Sequence, residues 1–302
     1  MVTKFLDPKN DVAFKKIFGT EKNKDILIHF LNDMLSFKEH YPIVDVTFLK
    51  TVQDAETAAH KTSIVDISCR DEKGNCYIVE MQVAKTKGFE KRAQYYAAKA
   101  YGTQAHRGDE YTDLKEVIFL AIADYQMFPE KKAYKSDHII LDKETHEHDL
   151  QDFSFTFVEL PKFNKTLEEL SNDRERWCYF FRHAEETTLE DFEKIIEMNG
   201  VIKEAYKALD AFYWTEQELI DYEHSEKQRR DYLATLMQKF DEGEAKGRAE
   251  ERVIAEQEKA EMQADFARTL WKKGWSLEEI AETIELQPEK VKRILDTIHC
   301  PE

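Results

Sequence analysis

The spacing of apolar residues predicts two helices in the first 40 residues. Apolar side chains recur every three to four positions over 12–18 and again over 26–35, which is the spacing that places them on one face of a helix. Gly19 separates the two runs. The chain is therefore expected to begin with two short helices.

Strand-like sequence follows Pro42. Apolar and polar residues alternate and β-branched residues are frequent, which predicts strands over 43–49, 63–69 and 76–83. The segment DEKGN at 71–75 has the composition of a turn. The second and third of these strands are therefore expected to pair as an antiparallel hairpin.

The mixed pattern continues to about residue 160. Residues 88–108 return to helical spacing, and the almost wholly apolar segment 116–124 is typical of a strand covered on both faces. Two further strands are predicted over 137–141 and 153–159. This order of elements predicts an α/β domain over 1–160, in which a mixed sheet is flanked by helices.

The rest of the chain shows no convincing strand and is expected to be all-helical. Residues 161–214 are predicted to form a helical extension, and residues 215–265, which lack proline and are rich in charge, a long charged helix or linker. Residues 266–302 are predicted to form a helix-turn-helix-like unit, in which Ser276 and Glu279 form a capping box.

The composition is that of a large folded protein with an acidic surface. Its 302 residues are 42% hydrophobic and 35% charged, and the formal net charge is −17. This charge repels nucleic acid at long range, so contact with DNA would need a local basic patch or a bound cation. The chain has no apolar run of membrane-spanning length and no apolar signal segment. Together with four cysteines that lack metal-site spacing, this predicts a cytoplasmic protein with reduced thiols and no membrane partner.

The most informative polar residues lie in the predicted hairpin. Asp66 lies on one strand, and Glu80 and Gln82 lie two residues apart on the next, so these last two share a face. Two carboxylates about 5 Å apart repel by roughly 3 kcal/mol at an effective dielectric of about 20. A divalent cation such as Mg²⁺ or Mn²⁺ would remove that repulsion and suits hydrolysis of a phosphodiester. The alternative is a pair of acids at an exposed end of the sheet, each paired with a lysine.

The residues around this pair resemble a known nuclease family. VDISC, with Asp66, followed by IVEMQV, with Glu80 and Gln82, resembles the D-(x)n-(D/E)-x-K core of PD-(D/E)XK nucleases, with Gln in place of Lys. DVAFKKIFG and RAQYYAAKAYG resemble a narrower group, the recombination-promoting nuclease and PD-(D/E)XK nuclease family transposase proteins. The resemblance covers about residues 1–160 and extends, more loosely, to the helical C-terminal part. It implies a restriction-endonuclease-like fold and a metal-dependent DNA endonuclease linked to recombination or mobile elements.

The resemblance also implies roles for individual residues. Asp66 and Glu80 would hold the metal, most simply Mg²⁺, with Mn²⁺ or Ca²⁺ as alternatives, and would be catalytic together with Gln82. Asp11 matches an acidic position of the first helix and would bind the metal or a metal-bound water, unless it caps the helix instead. Gln82 can position water but carries no positive charge. On this basis Gln82→Lys is expected to preserve or raise activity.

Positive charge is concentrated directly after the Glu80 strand. Residues 85–107 contain six lysines and arginines but one acidic residue. Arg92 and Tyr96 lie four residues apart, on one helical face, where they would hold a phosphate and stack a base of the DNA substrate. The alternative is an amphipathic helix with Tyr96 in the core.

Two other functions stay open from the sequence. One is a catalytically silent nuclease fold that binds DNA or protein, which Gln82 and the net charge favour. The other is a regulator that acts through the helix-turn-helix-like unit, although the six basic residues over 268–293 face five acidic ones. The apolar residues of that unit also predict a homo-oligomer, a dimer, because one nuclease site cuts one strand and two would cut both.

Overall fold

The computed structural model describes residues 5–37, 42–53, 63–105, 110–198 and 200–296. The end of the predicted helix over 88–108, including Arg107, therefore lies outside the described residues. The chain forms two compact units, which divide between Arg229 and Arg230. Within the described ranges, no helix is long and apolar enough to cross a membrane.

A mixed sheet forms the centre of the first unit. The strands are β1 (Val46–Phe48), β2 (Val52–Gln53), β3 (Ser63–Ile64), β4 (Ile67–Asp71), β5 (Cys76–Gln82), β6 (Val117–Ala123), β7 (Lys135–Ile139) and β8 (Phe153–Glu159). Six of them form one sheet in the order β1-β4-β5-β6-β8-β7, whereas β2 and β3 pair separately. The pairs β5–β6 and β6–β8 are parallel, and β1–β4, β4–β5 and β7–β8 are antiparallel.

Helices cover the sheet and form the C-terminal region. They are α1 (Asp11–Phe18), α2 (Lys24–Leu35), α3 (Phe89–Gly102), α4 (Asp173–His183), α5 (Leu189–Met198), α6 (Gly200–Leu209), α7 (Glu216–Lys272), α8 (Leu277–Thr283) and α9 (Pro288–Asp296). The arrangement confirms the predicted α/β fold class, a mixed sheet flanked by helices and followed by a helical region.

The two faces of the sheet bury different side chains. On one face, helices α1, α2 and α4 contribute an aromatic cluster in which the ring centroid of Phe30 lies 4.7 Å from that of Phe18 and 5.3 Å from that of Trp177. On the other face lies α3, whose fully buried Ala93 and Ala97 allow close packing. Because both faces are covered, β6 is buried along its whole length, which explains its continuous apolar sequence.

The strand predicted over 63–69 is interrupted in the structure. β3 ends at Ile64 and β4 begins at Ile67, so Asp66 lies between two strands and not within one. The interruption also frees β3 to pair with β2 outside the main sheet. The prediction that Asp66 lies on a strand was therefore wrong, and the break has a chemical cause in the Asp66 side chain, described below.

The start of α7 packs against the N-terminal segment of the first unit. The Asp7 backbone N–H donates to the Tyr222 hydroxyl at 3.0 Å, and Asn10 Nδ2 donates to Glu226 Oε1 at 2.9 Å. Tyr222 is buried in the same core as the aromatic cluster. The first helical turns of α7 therefore belong to the fold of the first unit.

The second unit has a small core of its own. Its buried apolar residues are Ala267, Leu270, Ile280, Ala281, Ile284, Val291 and Leu295. Ser276 and Glu279 form the predicted capping box at the start of α8. Gly274, with φ of +87°, ends the preceding helix in a left-handed conformation that glycine adopts without strain.

Candidate active site

Asp66 is held at the edge of the sheet by the backbone of β5. Its Oδ2 accepts a hydrogen bond of 2.8 Å from the N–H of Met81. The antiparallel register of β4 and β5 pairs Ile67 with Val79, so continuing it by two residues would place Val65 opposite Met81. In an uninterrupted β-ladder a backbone carbonyl would accept the hydrogen bond from this N–H, and here the Asp66 carboxylate accepts it instead. The side-chain hydrogen bond positions the acid beside β5 and ends the strand.

Glu80 lies in the middle of the buried face of β5. Its side chain is buried, with 3% of the residue exposed. Oε2 accepts a hydrogen bond of 2.9 Å from Gln82 Nε2, as the shared strand face predicts. Within the described part of the chain, the buried Oε1 has no hydrogen-bond partner. An unpaired carboxylate oxygen in an apolar surrounding is costly, which indicates that a ligand or a proton occupies this position.

Burial makes both carboxyl groups harder to ionise than a free acid in the metal-free protein. Burial, together with the charge of Asp66, raises the pKa of Glu80 to about 8. Burial also raises the pKa of Asp66 to about 6, with a smaller contribution from Asp11 and against the hydrogen bond from Met81. The two groups therefore repel each other when charged, and a bound cation would favour the charged form of both.

Gln82 connects the acids to a positive charge on α3. Arg92 Nη2 donates a hydrogen bond of 2.8 Å to Gln82 Oε1. Arg92 also lies over two rings of its own helix, 4.9 Å from the Phe89 centroid and 5.9 Å from the Tyr96 centroid. Its charge lowers the pKa of both Asp66 and Glu80, although burial outweighs that effect. The structure thus brings Arg92 to the acid pair, as its place on the following helix suggested.

Tyr96 is partly buried beside Arg92 and packs against the core on the α3 face of the sheet, as the alternative of an amphipathic helix predicts in part. Burial raises the pKa of its hydroxyl. The neighbouring Tyr95 is 44% exposed, and the two ring centroids lie 6.2 Å apart. Lys91, one turn before Tyr95, is also exposed. Helix α3 therefore places Arg92 and Tyr96 near the acid pair and also exposes Lys91 and Tyr95 to solvent.

Asp11 lies on the other side of Asp66 and pairs with a lysine. The cap of α1 is Asn10, whose side chain accepts from the N–H groups of Val12 and Ala13, so the alternative role of Asp11 as the cap is excluded. The Asp11 carboxylate lies 2.8 Å from Lys15 Nζ.

Lys15 is a residue of the site that belongs to the DVAFKKIFG motif but received no role in the sequence analysis. Its Nζ lies 4.0 Å from Asp66 Oδ1, and its charge lowers the pKa of Asp66. The spacing of four residues from Asp11 on a predicted helix was the available signal. That spacing predicts an ion pair between Lys15 and Asp11, but it does not predict the contact between Lys15 and Asp66.

The chemistry of the pair fits a hard divalent cation. In the ranges that the structure describes, no group of three or more His, Cys, Asp or Glu side chains is placed to hold a metal ion. The protein side chains available are therefore the carboxylates of Asp66 and Glu80, one of which has the unpartnered buried oxygen. Mg²⁺ is commonly held by one or two carboxylates, with water and substrate phosphate at its other positions.

Comparison with protein-family models finds a match over most of this chain. Residues 8–239 match a family model described as PD-(D/E)XK nuclease family transposase. The match covers well over half of the chain and includes every candidate site residue above. It confirms the family that the motifs predicted. Searches of curated proteins and of solved structures found no significant match.

Proposed function

Because the chain belongs to the PD-(D/E)XK nuclease family transposases, we propose that it is a metal-dependent endonuclease that hydrolyses phosphodiester bonds of DNA. The observation that carries the proposal is the buried pair of Asp66 and Glu80. The pKa of each is raised mainly by burial, and one oxygen of Glu80 has no partner in the described part of the chain. A stable protein keeps such a pair where a ligand offsets its cost.

The metal would be held by Asp66 and Glu80, with the backbone carbonyl that follows Glu80 as a third oxygen. When bound, Mg²⁺, or alternatively Mn²⁺ or Ca²⁺, would lower the pKa of a water molecule and neutralise charge on the scissile phosphate. Asp11, which pairs with Lys15, would bind a water molecule of the metal and not the metal itself.

Gln82 and Arg92 together would replace the lysine of the wider superfamily. The guanidinium supplies the positive charge, and Gln82, whose amide oxygen is held by Arg92, keeps its amide nitrogen beside Glu80. This arrangement can stabilise negative charge that develops at the phosphate without placing a flexible ammonium group among the acids. Lys15 would supply a second positive charge next to Asp66.

The basic segment that runs from Lys85 into α3 would bind the DNA backbone. Lys85, Lys87 and Lys91 are exposed directly after β5, and they counter the repulsion expected from the net charge of −17. Tyr96, next to Arg92, would contact the substrate near the scissile phosphate. Two protomers joined through the C-terminal helical region would cut both strands.

The proposed biological setting is recombination or transposition of mobile elements, in the cytoplasm. Transposition requires strand cleavage at defined positions. The family match supports a link with transposition. Recombination and the cytoplasmic location are proposed by extension from that match.

Incubation of supercoiled plasmid with the purified protein tests the proposal. We expect nicking in Mg²⁺ or Mn²⁺, no nicking in EDTA, and loss of nicking in Glu80→Gln. Asp113→Asn, which neutralises an exposed acid in a short helix outside the site, is the matched control and should nick as the wild type does. Tight DNA binding without nicking in any metal would overturn the catalytic proposal and favour a silent binding module.

A further inference from the structure

A cavity away from the acid pair opens on the face of the sheet that also carries Glu80. Its volume is about 400 Å³, within the range typical of small-molecule sites. It is lined by the rings of Phe128, His138, Phe155 and Phe157, by the apolar side chains of Ile139 and Ile140, and by two polar residues of α3, Glu90 and Gln94. None of these residues belongs to the acid pair or to its hydrogen-bonded partners.

Aromatic rings in mutual contact form one wall of the cavity. The ring centroids of Phe128 and His138 lie 5.4 Å apart, those of His138 and Phe157 5.4 Å, and those of Phe128 and Phe157 5.5 Å. Burial, and then the nearby Lys131, lower the pKa of His138, which keeps its ring neutral near pH 7. Phe157 is buried and meets the other two rings nearly edge-on, so the partly exposed rings of Phe128 and His138 form the uncharged surface on which a ligand can stack.

A cation lies beside this ring cluster. Lys131 Nζ lies 5.0 Å from the centroid of Phe128 and 3.3 Å from His138 Nε2. On the α3 side, the exposed Gln94 makes a hydrogen bond of 3.0 Å from Nε2 to the backbone oxygen of Glu90, so its Oε1 is available. Flat rings, an amide, a carboxylate and a cation together match a flat heteroaromatic ligand with a polar edge and an attached phosphate.

The strand register relates this cavity to the acid pair. Glu80 pairs with Ala121, and Ala121 pairs with Phe157, so the three residues form one row across β5, β6 and β8. Two strand spacings separate the backbones of Glu80 and Phe157 by about 10 Å. Helix α3 contributes to both places, because Arg92 reaches Gln82 while Glu90 and Gln94 line the cavity.

We propose that this cavity binds one unstacked base of the DNA substrate, next to the phosphate that is cleaved at Asp66 and Glu80. This inference rests on the proposed function and adds a source of sequence preference to it. The ring cluster stacks on the base, and Gln94 with Glu90 hydrogen-bonds its edge. An apolar side chain of a protein partner would leave those two polar groups without a complement, which is why a base fits better.

Phe128 and Gln94 are suitable positions for a test, because the Phe128 ring is only partly buried against the core of the α3 face and Gln94 is exposed. The Phe128 backbone is fixed on both sides, since its N–H donates to Glu159 Oε1 at 3.0 Å and its carbonyl accepts from Lys162 Nζ at 2.7 Å. Phe128→Ala therefore removes the ring and keeps the loop. Gln94→Leu removes the polar edge of an exposed residue.

Two residues outside the cavity provide matched controls. Phe212 is 86% exposed, so Phe212→Ala removes an aromatic ring elsewhere. Gln151 is an exposed glutamine that, like Gln94, donates to a nearby backbone oxygen, so Gln151→Leu matches the second variant. Circular dichroism and the melting temperature confirm that each variant is folded.

The probe is a duplex oligonucleotide in which 2-aminopurine is moved one position at a time through the strand, bound to the full-length protein in EDTA. We expect the fluorescence to rise at one position near the mapped nick, since the base leaves the stack there. Phe128→Ala should remove the rise and weaken binding by about 5- to 100-fold, and Gln94→Leu should change which base is preferred. Both controls should behave as the wild type does.

Two results separate this inference from the proposed function. Metal-dependent nicking with a 2-aminopurine signal that is the same in Phe128→Ala and Phe212→Ala overturns the base-binding cavity and leaves the nuclease intact. A position-specific signal that depends on Phe128, in a protein that never nicks DNA, supports the cavity and overturns the nuclease.

Discussion

Arg92 Nη2 donates a hydrogen bond of 2.8 Å to Oε1 of Gln82. Because that oxygen is occupied, the amide nitrogen of Gln82 faces Glu80 and donates to its Oε2 at 2.9 Å. The positive charge that a glutamine lacks therefore lies one hydrogen bond away, on α3. The two residues act as one unit, and replacing either should change the role of the other.

This contact reverses the effect that the sequence alone predicts for Gln82→Lys. A lysine at this position would place its ammonium group against the guanidinium of Arg92, and the like charges would repel. We expect the rate of plasmid nicking to fall by about ten-fold or more. The double variant Gln82→Lys with Arg92→Gln should recover part of the rate. Wild-type activity in the single variant would mean that Arg92 can move away freely.

Neutralising either acid should abolish cleavage and stabilise the metal-free protein. Asp66→Asn keeps an oxygen for the Met81 N–H, and Glu80→Gln keeps the shape of the side chain, so both remove mainly the buried charge. We expect the free energy of unfolding in EDTA at pH 8 to rise by about 1–3 kcal/mol. Chemical denaturation measures this, with Asp113→Asn as the control. A fall in stability together with activity would indicate a structural ion pair.

The stability of the metal-free protein should fall as the pH rises. The pKa of Glu80 lies at about 8 in the folded chain, above its ordinary value of 4.5, so the folded state holds a proton that the unfolded state has released. Stability is therefore lost between about pH 4.5 and 8. Melting temperatures in EDTA across pH 5–9 test this. Mg²⁺ should raise them most at the alkaline end, and a flat profile that Glu80→Gln does not change would contradict the assignment.

Removing Lys15 should move the pH–activity profile to higher pH. The charge of Lys15 lowers the pKa of Asp66, so Lys15→Met should raise that pKa and shift the acidic limb by about half a pH unit or more. Lys16→Met is the matched control, because Lys16 pairs with Glu218 and not with Asp66. If Lys15→Met and Lys16→Met gave the same pH–activity profile, the role of Lys15 would be limited to its ion pair with Asp11 in the first helix.

Truncation at residue 229 should preserve folding, whereas truncation at residue 214 should destabilise the chain. A chain that ends at residue 229 keeps Tyr222 and Glu226 against the N-terminal segment and should retain a cooperative unfolding transition and nicking. A chain that ends at residue 214 loses the buried Tyr222 and should be less stable by about 3 kcal/mol or more. Light scattering should show a smaller mass for the 229-residue chain than for the full chain, if the C-terminal region pairs two protomers.

The local pattern of the sequence was sufficient to predict most of the secondary structure and the part of the site formed by Glu80 and Gln82. Side chains alternate along a strand, so Glu80 and Gln82 had to share a face wherever β5 lay in the sheet. The apolar run of β6 indicated a strand covered on both sides, and Ser276 with Glu279 marked a helix start. Each of these conclusions depends on residues within a few positions of one another.

Tertiary structure decided the rest, because it depends on residues that are distant in the chain. The strand over 63–69 breaks because the Asp66 carboxylate accepts the hydrogen bond of the Met81 N–H in place of a backbone carbonyl. The strand propensities of the residues do not predict this replacement. Lys15 reaches Asp66 from a helix 51 residues earlier, and the aromatic cavity combines side chains of α3, β7 and β8. The sequence by itself determined which residues carry charge and which face of a strand they share. The pKa of the acids and the partner of each charge follow from burial and distance, which only the packed chain defines.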